Sequence, residues 1–277
     1  MYQEKRLLNG FLDNDLQLEV KRMRTEHGDI YKIIEKINKL FYGIEENYEK
    51  VKPTNADVYI RTTFSQIHMS SQSYIILLER GLYDDSQVIL RSMYDKVMKC
   101  LYAIKNNSIE VLIQDSIKRN ISLYEFIDKN EMYKYVPKEK LYELKKAMQK
   151  EQKKDENGKP AKIPKIIETF NDLGIKDAYI HYSLLSSYVH NSIGVVGNKV
   201  LEKDSDILIN QNVDHGDFRN EIVKMYLCMQ YIITPICEYL NLKKQKLEFD
   251  NLINELIKLT EKIWYNLYRS WYYEFNR

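Results

Sequence analysis

Glycine and proline are scarce in this chain, and their scarcity is the strongest constraint on its fold. Nine glycines and five prolines occur in 277 residues, whereas average usage predicts roughly 19 and 14. Sandwiches, barrels and doubly wound α/β folds need many turn residues, so they are difficult to build from this composition. The sequence therefore predicts an all-α protein, a multi-helix bundle with long helices and few loops.

The charge balance excludes two classes of protein. Lysine and arginine number 42 and aspartate and glutamate 40, which gives a net charge of +2. This chain is therefore neither a strongly basic nucleic-acid coat nor an acidic tail. Its longest strongly apolar stretch, residues 225–236, is shorter than the about 20 residues that a membrane span requires. The N-terminus has no signal-peptide pattern, and we expect a cytoplasmic protein with no membrane contact.

Helical spacing of apolar residues recurs along most of the chain. Residues 1–51 are predicted to form an N-terminal helical extension, and a break at Pro53 with Thr54 and Asn55 separates it from a helical bundle domain over 52–277. Ten lysines and five acidic residues lie between residues 138 and 165. They predict a basic hairpin or loop, or simply a solvated surface.

Smaller features complete the prediction. A helix is expected to end at Gly81, residues 84–86 to cap the helix after it, and a charged helix to cover 138–152 after Pro137. A short extended piece is expected at residues 206–209, and the last helix is expected to begin near Asp250. Cys100, Cys228 and Cys237 show no CxxC spacing, so we expect reduced core residues.

One segment lacks charge altogether. Residues 178–198 contain no Asp, Glu, Lys or Arg, although 30% of the chain is charged. On a helix over about 177–192, an apolar arc that includes Ile180 and Leu184 faces away from an arc of serines that ends in His190. Because a solvent-facing arc in this chain would normally carry lysine or glutamate, we expect both arcs to be buried or to face a pocket.

Three interpretations of His190 remain open. In the first, it is a neutral, hydrogen-bonded interior residue, and the serines allow close helix packing. In the second, it is a general acid–base in a shielded cleft, with Ser187 or Asn191 orienting it or its substrate. Metal ligation is the third, but His181 and His190 lie on different faces and no HExxH pattern occurs. We predict no metal and no cofactor.

A catalytic histidine needs a partner, and Arg91 is the best candidate cation. It borders the apolar stripe of a predicted helix, with Asp95 one turn further along. Arg91 pairs with Asp95 in one interpretation, and reaches an anion near His190 in the other. Arg80, at the end of the preceding helix, is a lesser candidate.

Two segments together carry a resemblance. Residues 81–95 (GLYDDSQVILRSMYD) and 182–190 (YSLLSSYVH) resemble a family of bacterial all-α proteins of unknown function. Members of that family tend to have a Leu-Arg-Ser helix followed by an acidic residue, usually Glu, and a later Ser-x-x-His helix. Asp95 occupies the acidic position here, and the resemblance covers roughly residues 55–240.

More loosely, the architecture resembles HEPN proteins, helical domains that are common in RNA-cutting toxins and antiviral defence. Their usual signature is an arginine followed, after four to six intervening residues, by a histidine on the same helix. This chain has Ser183, Leu184 and Leu185 at those positions. A nucleolytic site would therefore take its cation from another helix, with Arg91 as the best choice.

The resemblance implies a HEPN-like, homodimeric protein that acts on RNA, as a metal-independent ribonuclease or toxin in bacterial stress or phage defence. In that hypothesis His190 moves a proton and Arg91 stabilises the phosphorane charge. The residues expected to bind RNA or another ligand are Arg80, Asp95, Ser183 and Tyr188. The alternative is a non-enzymatic helical module that binds a partner protein or a small ligand, so enzymatic activity stays open.

Overall fold

A computed structural model describes residues 15–48, 53–134, 136–153, 166–190, 200–203, 206–209 and 217–260. The helices of this described part are α1 (Asp15–Glu26), α2 (Gly28–Tyr48), α3 (Asn55–Glu79), α4 (Tyr83–Asn106), α5 (Glu110–Lys129), α6 (Lys138–Glu151), α7 (Ile166–Asp172), α8 (Lys176–Val189), α9 (Phe218–Tyr239) and α10 (Lys243–Lys258). The all-α bundle predicted from the scarcity of turn residues is confirmed.

Two short strands accompany the helices. β1 (Val200–Lys203) and β2 (Asp206–Ile209) pair in antiparallel orientation, with Val200 opposite Ile209 and Lys203 opposite Asp206. The extended piece predicted at residues 206–209 is therefore β2.

Helix α3 begins directly after Thr54 and ends just before Gly81, the two positions that the sequence predicts. The Thr54 hydroxyl accepts a hydrogen bond from the Asp57 N–H at 3.1 Å, and the Asp57 carboxylate accepts one from the Thr54 N–H at 2.7 Å. This reciprocal pair is a capping box. At the other end Gly81 has φ 69°, and the N–H of Leu82 donates to the carbonyl of Leu77 at 2.9 Å. Only glycine adopts this left-handed turn without strain, and the turn lets α4 begin two residues later.

Two predicted boundaries are wrong. Residues 84–86 were expected to cap α4, but the helix already begins at Tyr83 and the two aspartates lie in its first turn, where carboxylates favour the helix dipole. The last described helix begins at Lys243 and not near Asp250. Asn241, with φ 57°, provides the left-handed turn that ends α9 and permits this early start.

The main core runs through α3, α4 and α9, with α2 and α10 packed on one side. On that side Phe41 of α2 stacks on Phe64 of α3 with ring centroids 4.9 Å apart. The apolar stripe of α2 belongs to the same continuous core as the bundle. The N-terminal region therefore folds against the bundle, while the boundary predicted between residues 51 and 52 lies outside the described residues.

Helices α5 and α6 form a hairpin that stands apart from this core. Ile117, Ile121 and Leu141 are buried between the two helices but do not join the main cluster. Ile109 and Leu112, at the start of α5, are the partly buried residues through which the hairpin packs against the core. Helix α6 is the longest described part of the basic segment predicted over 138–165, and residues 154–165 lie outside the described ones.

The cysteines occupy the positions expected of them. Cys100, Cys228 and Cys237 are free thiols and are buried. Burial raises the pKa of Cys237 to about 12, so this thiol is protonated at neutral pH. As for the membrane, none of the described helices combines the length and the apolarity that a crossing would need.

Candidate functional site

The structure brings Arg91 of α4 onto α8. Its Nε–H donates to Ser186 Oγ at 2.9 Å, and its Nη1 donates to Asp95 Oδ2 at 2.5 Å. The guanidinium carbon lies 3.3 Å from the centre of the Tyr182 ring. We call Arg91, Asp95, Tyr182 and Ser186 the arginine clamp. The predicted pairing of Arg91 with Asp95 is confirmed, and it takes place in contact with the uncharged helix.

Helical spacing on both elements explains the arginine clamp. Arg91 and Asp95 are four residues apart on α4, and Tyr182 and Ser186 are four apart on α8, so each pair shares one face of its helix. Phe170 also contacts the Tyr182 ring, edge to face, at a centroid distance of 5.3 Å. Burial and the nearby Asp95 carboxylate raise the pKa of Tyr182 to about 12, although Arg91 opposes the shift.

His190 is the C-cap of α8, and its side chain is exposed. Its backbone N–H donates to the Ser186 carbonyl at 3.1 Å, which places the histidine one helical turn beyond Ser186 on the same face. Arg91 donates to Ser186 and Asp95, and within the described residues it makes no hydrogen bond to His190. The imidazole is therefore open to solvent and lies about one turn from the arginine clamp.

Other predicted site residues gather at the same end of the bundle. Tyr188 is half-buried and contacts Tyr83, at the start of α4, edge to face with centroids 6.1 Å apart. Arg80 is exposed three residues before Tyr83, as the C-cap of α3. The end of α8 that carries His190 therefore lies beside the turn between α3 and α4.

The serines of α8 have different roles. Ser187 donates its hydroxyl to the Leu184 carbonyl at 2.6 Å, inside its own helix. Ser183 is exposed. Ser186, which the sequence did not single out, makes the contact with Arg91. Asn191 lies outside the described residues.

The predicted burial of α8 on both sides is wrong. Ile180, Leu184 and Val189 are 58%, 63% and 44% exposed. The buried residues of the helix are Ala178, Tyr182 and Leu185. Within the described part of the chain, helix α8 packs on α4 and α7, and the exposure of its apolar edge shows that an uncharged sequence does not mark an enclosed helix.

A second polar group of residues, which sequence reasoning missed, lies inside the core. Glu221 of α9 is buried and accepts hydrogen bonds from the Tyr74 hydroxyl at 2.7 Å and from Gln87 Nε2 at 3.0 Å. Lys224 Nζ lies 2.5 Å from the other carboxylate oxygen. We call these four residues the buried glutamate network. Burial, reinforced by the Glu221 carboxylate, raises the pKa of Tyr74 well above its ordinary value.

A sequence signal for the buried glutamate network existed. Glu221 continues the spacing of Met225, Cys228 and Ile232, which are all buried. A carboxylate on an apolar stripe is rare unless it is paired.

Burial lowers the pKa of two further histidines. His68 is buried beside α2, and its Nε2 lies 3.1 Å from both Asn38 Oδ1 and Gln72 Nε2. Burial lowers the pKa of His68 to about 4. His181 is half-buried, and burial together with the Lys224 charge lowers its pKa. Among the described residues no group of three or more His, Cys, Asp or Glu side chains could hold a metal ion.

Comparison with known proteins gives one match. A family described as "Family of unknown function (DUF5677)" matches residues 57–208, more than half of the chain. The matched region spans α3 to β2 and includes both helices of the arginine clamp. No curated protein and no solved structure matches the chain.

Proposed function

Because the chain belongs to the DUF5677 family, whose function is unknown, we propose a function from the site itself: the protein cuts RNA without a metal, as a HEPN-like endoribonuclease or toxin in bacterial stress or phage defence. The observation that carries this proposal is the arginine clamp, which holds the Arg91 guanidinium on Ser186, and Ser186 lies one helical turn before the exposed His190.

The chemistry needs a proton acceptor and a positive charge. The 2′-hydroxyl of a ribose attacks the adjacent phosphorus, and its proton passes to the His190 imidazole. The bond to the 5′-oxygen breaks, this oxygen takes a proton from water, and the hydroxide that forms takes the proton held by His190, which restores the neutral imidazole. The products are a 2′,3′-cyclic phosphate and a 5′-hydroxyl end.

Arg91 supplies the positive charge. A guanidinium group has five N–H donors, and the described contacts use two of them. The remaining donors stabilise the phosphorane in this proposal. Asp95 and Tyr182 hold the group in place before the substrate arrives, which is the preorganisation that lowers a barrier.

The proposal also includes a homodimer and RNA contacts from Arg80, Ser183 and Tyr188. The exposed edge of α8 is the surface that a second copy would cover. Arg80 and Tyr188 support RNA contact because they lie at the same end of the bundle as His190.

The first test is RNA cleavage by the purified protein and its His190→Ala variant. General acid–base groups contribute about 10²- to 10⁴-fold to rate, so we expect His190→Ala to lower the cleavage rate at least a hundredfold. His181→Ala, which removes the other histidine of α8, is the matched control and should keep the wild-type rate. Circular dichroism checks that both variants fold. Cleavage by His190→Ala at the wild-type rate, or no cleavage by the wild type, contradicts the proposal.

A non-enzymatic binding module is the second candidate. The exposed apolar residues Ile180 and Leu184 favour it, because they offer a contact surface for a partner protein. In this alternative the arginine clamp only joins α4 to α8. An inactive wild type in the RNA assay would favour this function.

A further inference from the structure

A groove lies between α4 and α5, beyond the arginine clamp. Two adjoining cavities form it, of about 350 and 130 Å³, and they share Lys99, Leu112, Asp115 and Arg119 in their walls. Tyr59 of α3 lines the larger cavity and Tyr102 of α4 the smaller one. We call this the α4–α5 groove.

The groove exists because α5 packs on α6 more than on α4. The apolar residues of α5 in the middle of the helix are buried against α6, and contact with the core is made by Ile109 and Leu112. Beyond that first turn α5 leaves α4 uncovered. The walls there are mostly apolar, as in small-molecule sites.

Among the described residues, the charged side chains of the groove leave the Lys99 ammonium group without a partner. Asp95 pairs with Arg91, and Asp115 pairs with Arg119 at 2.7 Å. Lys99 is half-buried and lines both cavities, and within the described residues its ammonium group has no ion pair or hydrogen bond. Because Arg119 already pairs with the Asp115 carboxylate in the same walls, the half-buried ammonium group stays available to an anion, which it attracts more strongly than a lysine in open water does.

The volume of the larger cavity and the residues of the groove walls restrict the kind of ligand that fits. Pockets for small ligands measure about 300–1,000 Å³, so the larger cavity, of about 350 Å³, takes a small molecule. Tyr59 and Tyr102 provide aromatic surface on either side of Lys99, which suits a flat ring joined to an anionic group.

We propose that the α4–α5 groove binds a nucleoside monophosphate, with the phosphate on Lys99 and Arg119 and the base between the aromatic and aliphatic walls. The groove touches the arginine clamp only through Asp95. The proposal is independent of RNA cleavage, because its test replaces neither Arg91 nor His190.

Adenosine 5′-monophosphate is the probe, and isothermal titration calorimetry measures its Kd. A charge-assisted hydrogen bond contributes about 1.5–3 kcal/mol, so we expect Lys99→Met to raise the Kd at least about tenfold. Lys118→Met is the matched control: it removes an exposed lysine from α5 and should change the Kd less than twofold. Adenosine, which lacks the phosphate, should bind more weakly than the monophosphate and should not respond to Lys99→Met.

Three results would overturn the proposal. One is the absence of saturable binding of adenosine 5′-monophosphate to the full chain. The second is an equal effect of Lys99→Met and Lys118→Met, which would place the phosphate elsewhere. The third is tighter, Lys99-dependent binding of tetraadenylate than of the monophosphate, which would make the groove part of an RNA-binding surface.

Discussion

The buried glutamate network and the arginine clamp both place charged groups against α4, but in opposite surroundings. Glu221 is buried among α3, α4 and α9, where two neutral donors and the Lys224 ammonium group satisfy it. Arg91 is bound by Asp95 and Ser186 at the edge of the bundle, where its side chain is 13% exposed and that of Asp95 is 38% exposed. A buried charge needs its partners for the fold to survive. A guanidinium group at the edge of the bundle retains N–H donors that can bind a ligand. This difference makes the arginine clamp the better candidate for a functional site.

The largest expected effect on stability is in the buried glutamate network. Glu221→Ala leaves the Tyr74 hydroxyl and the Gln87 amide without their acceptor, and we expect a loss of about 3 kcal/mol in the free energy of unfolding. Urea unfolding followed by circular dichroism measures it. Glu238→Ala is the matched control, since Glu238 is on the same helix and also lies 2.5 Å from a lysine, yet is 61% exposed. Equal losses in the two variants would remove the distinction between the buried and the edge group.

The second largest expected effect on stability comes from the buried His68, and it depends on pH. Its pKa is about 4 in the folded chain and about 6.5 when unfolded, so folding favours the neutral imidazole. The stability from this residue is complete above the unfolded pKa and is lost as the pH falls toward 4, by at most about 3 kcal/mol.

Urea unfolding between about pH 8.5 and 4 of the wild type and of His68→Gln measures that contribution. The neighbours Asn38 and Gln72 are neutral, so they add no titration of their own. We expect the difference in stability between the two proteins to be constant above about pH 7.5 and to shrink below it. A difference that is independent of pH would show that His68 does not stay neutral on folding.

The smallest effect is expected at the arginine clamp. Arg91→Met loses a partly exposed ion pair, a cation–π contact and a hydrogen bond, and we expect a loss of about 1–2 kcal/mol. Arg22→Met is the control, because it removes only surface ion pairs, with Glu19 and Glu26, and should cost less than about 0.5 kcal/mol. A loss as large as that for Glu221→Ala would make the arginine clamp a structural element of the core.

Helix positions could be predicted from the sequence where the proline and glycine residues at helix ends agree with the helical spacing of apolar residues. The helix expected over 138–152 is observed as Lys138–Glu151, directly after Pro137, and the end of α3 is at the predicted Gly81 turn. These are local effects of proline and glycine on the backbone. The start of α10 was missed because it depends on an asparagine in a left-handed turn. Asparagine also occurs at many other positions, so the residue by itself does not mark such a turn.

The site was less predictable, because its contacts join distant segments. Arg91 and Asp95 were recognised as neighbours on one helix, but nothing in the sequence distinguishes Ser186 from Ser183 and Ser187 as the partner of Arg91. The orientation of α8 was wrong for a related reason. Charged residues mark the solvent side of a helix, and in a segment without them only the packing partner determines which side is buried.

The hairpin of α5 and α6 has a further consequence for how the molecule opens. A unit that buries few apolar groups against the rest of a protein separates from it at a lower free energy than global unfolding requires. The hairpin meets the core mainly at the first turn of α5, so we expect it to open as a cooperative unit of its own. When the hairpin opens, the space beside α4 changes width while α3, α4 and α9 stay folded. Amide hydrogen exchange would therefore be fast in the hairpin and slow in the three core helices.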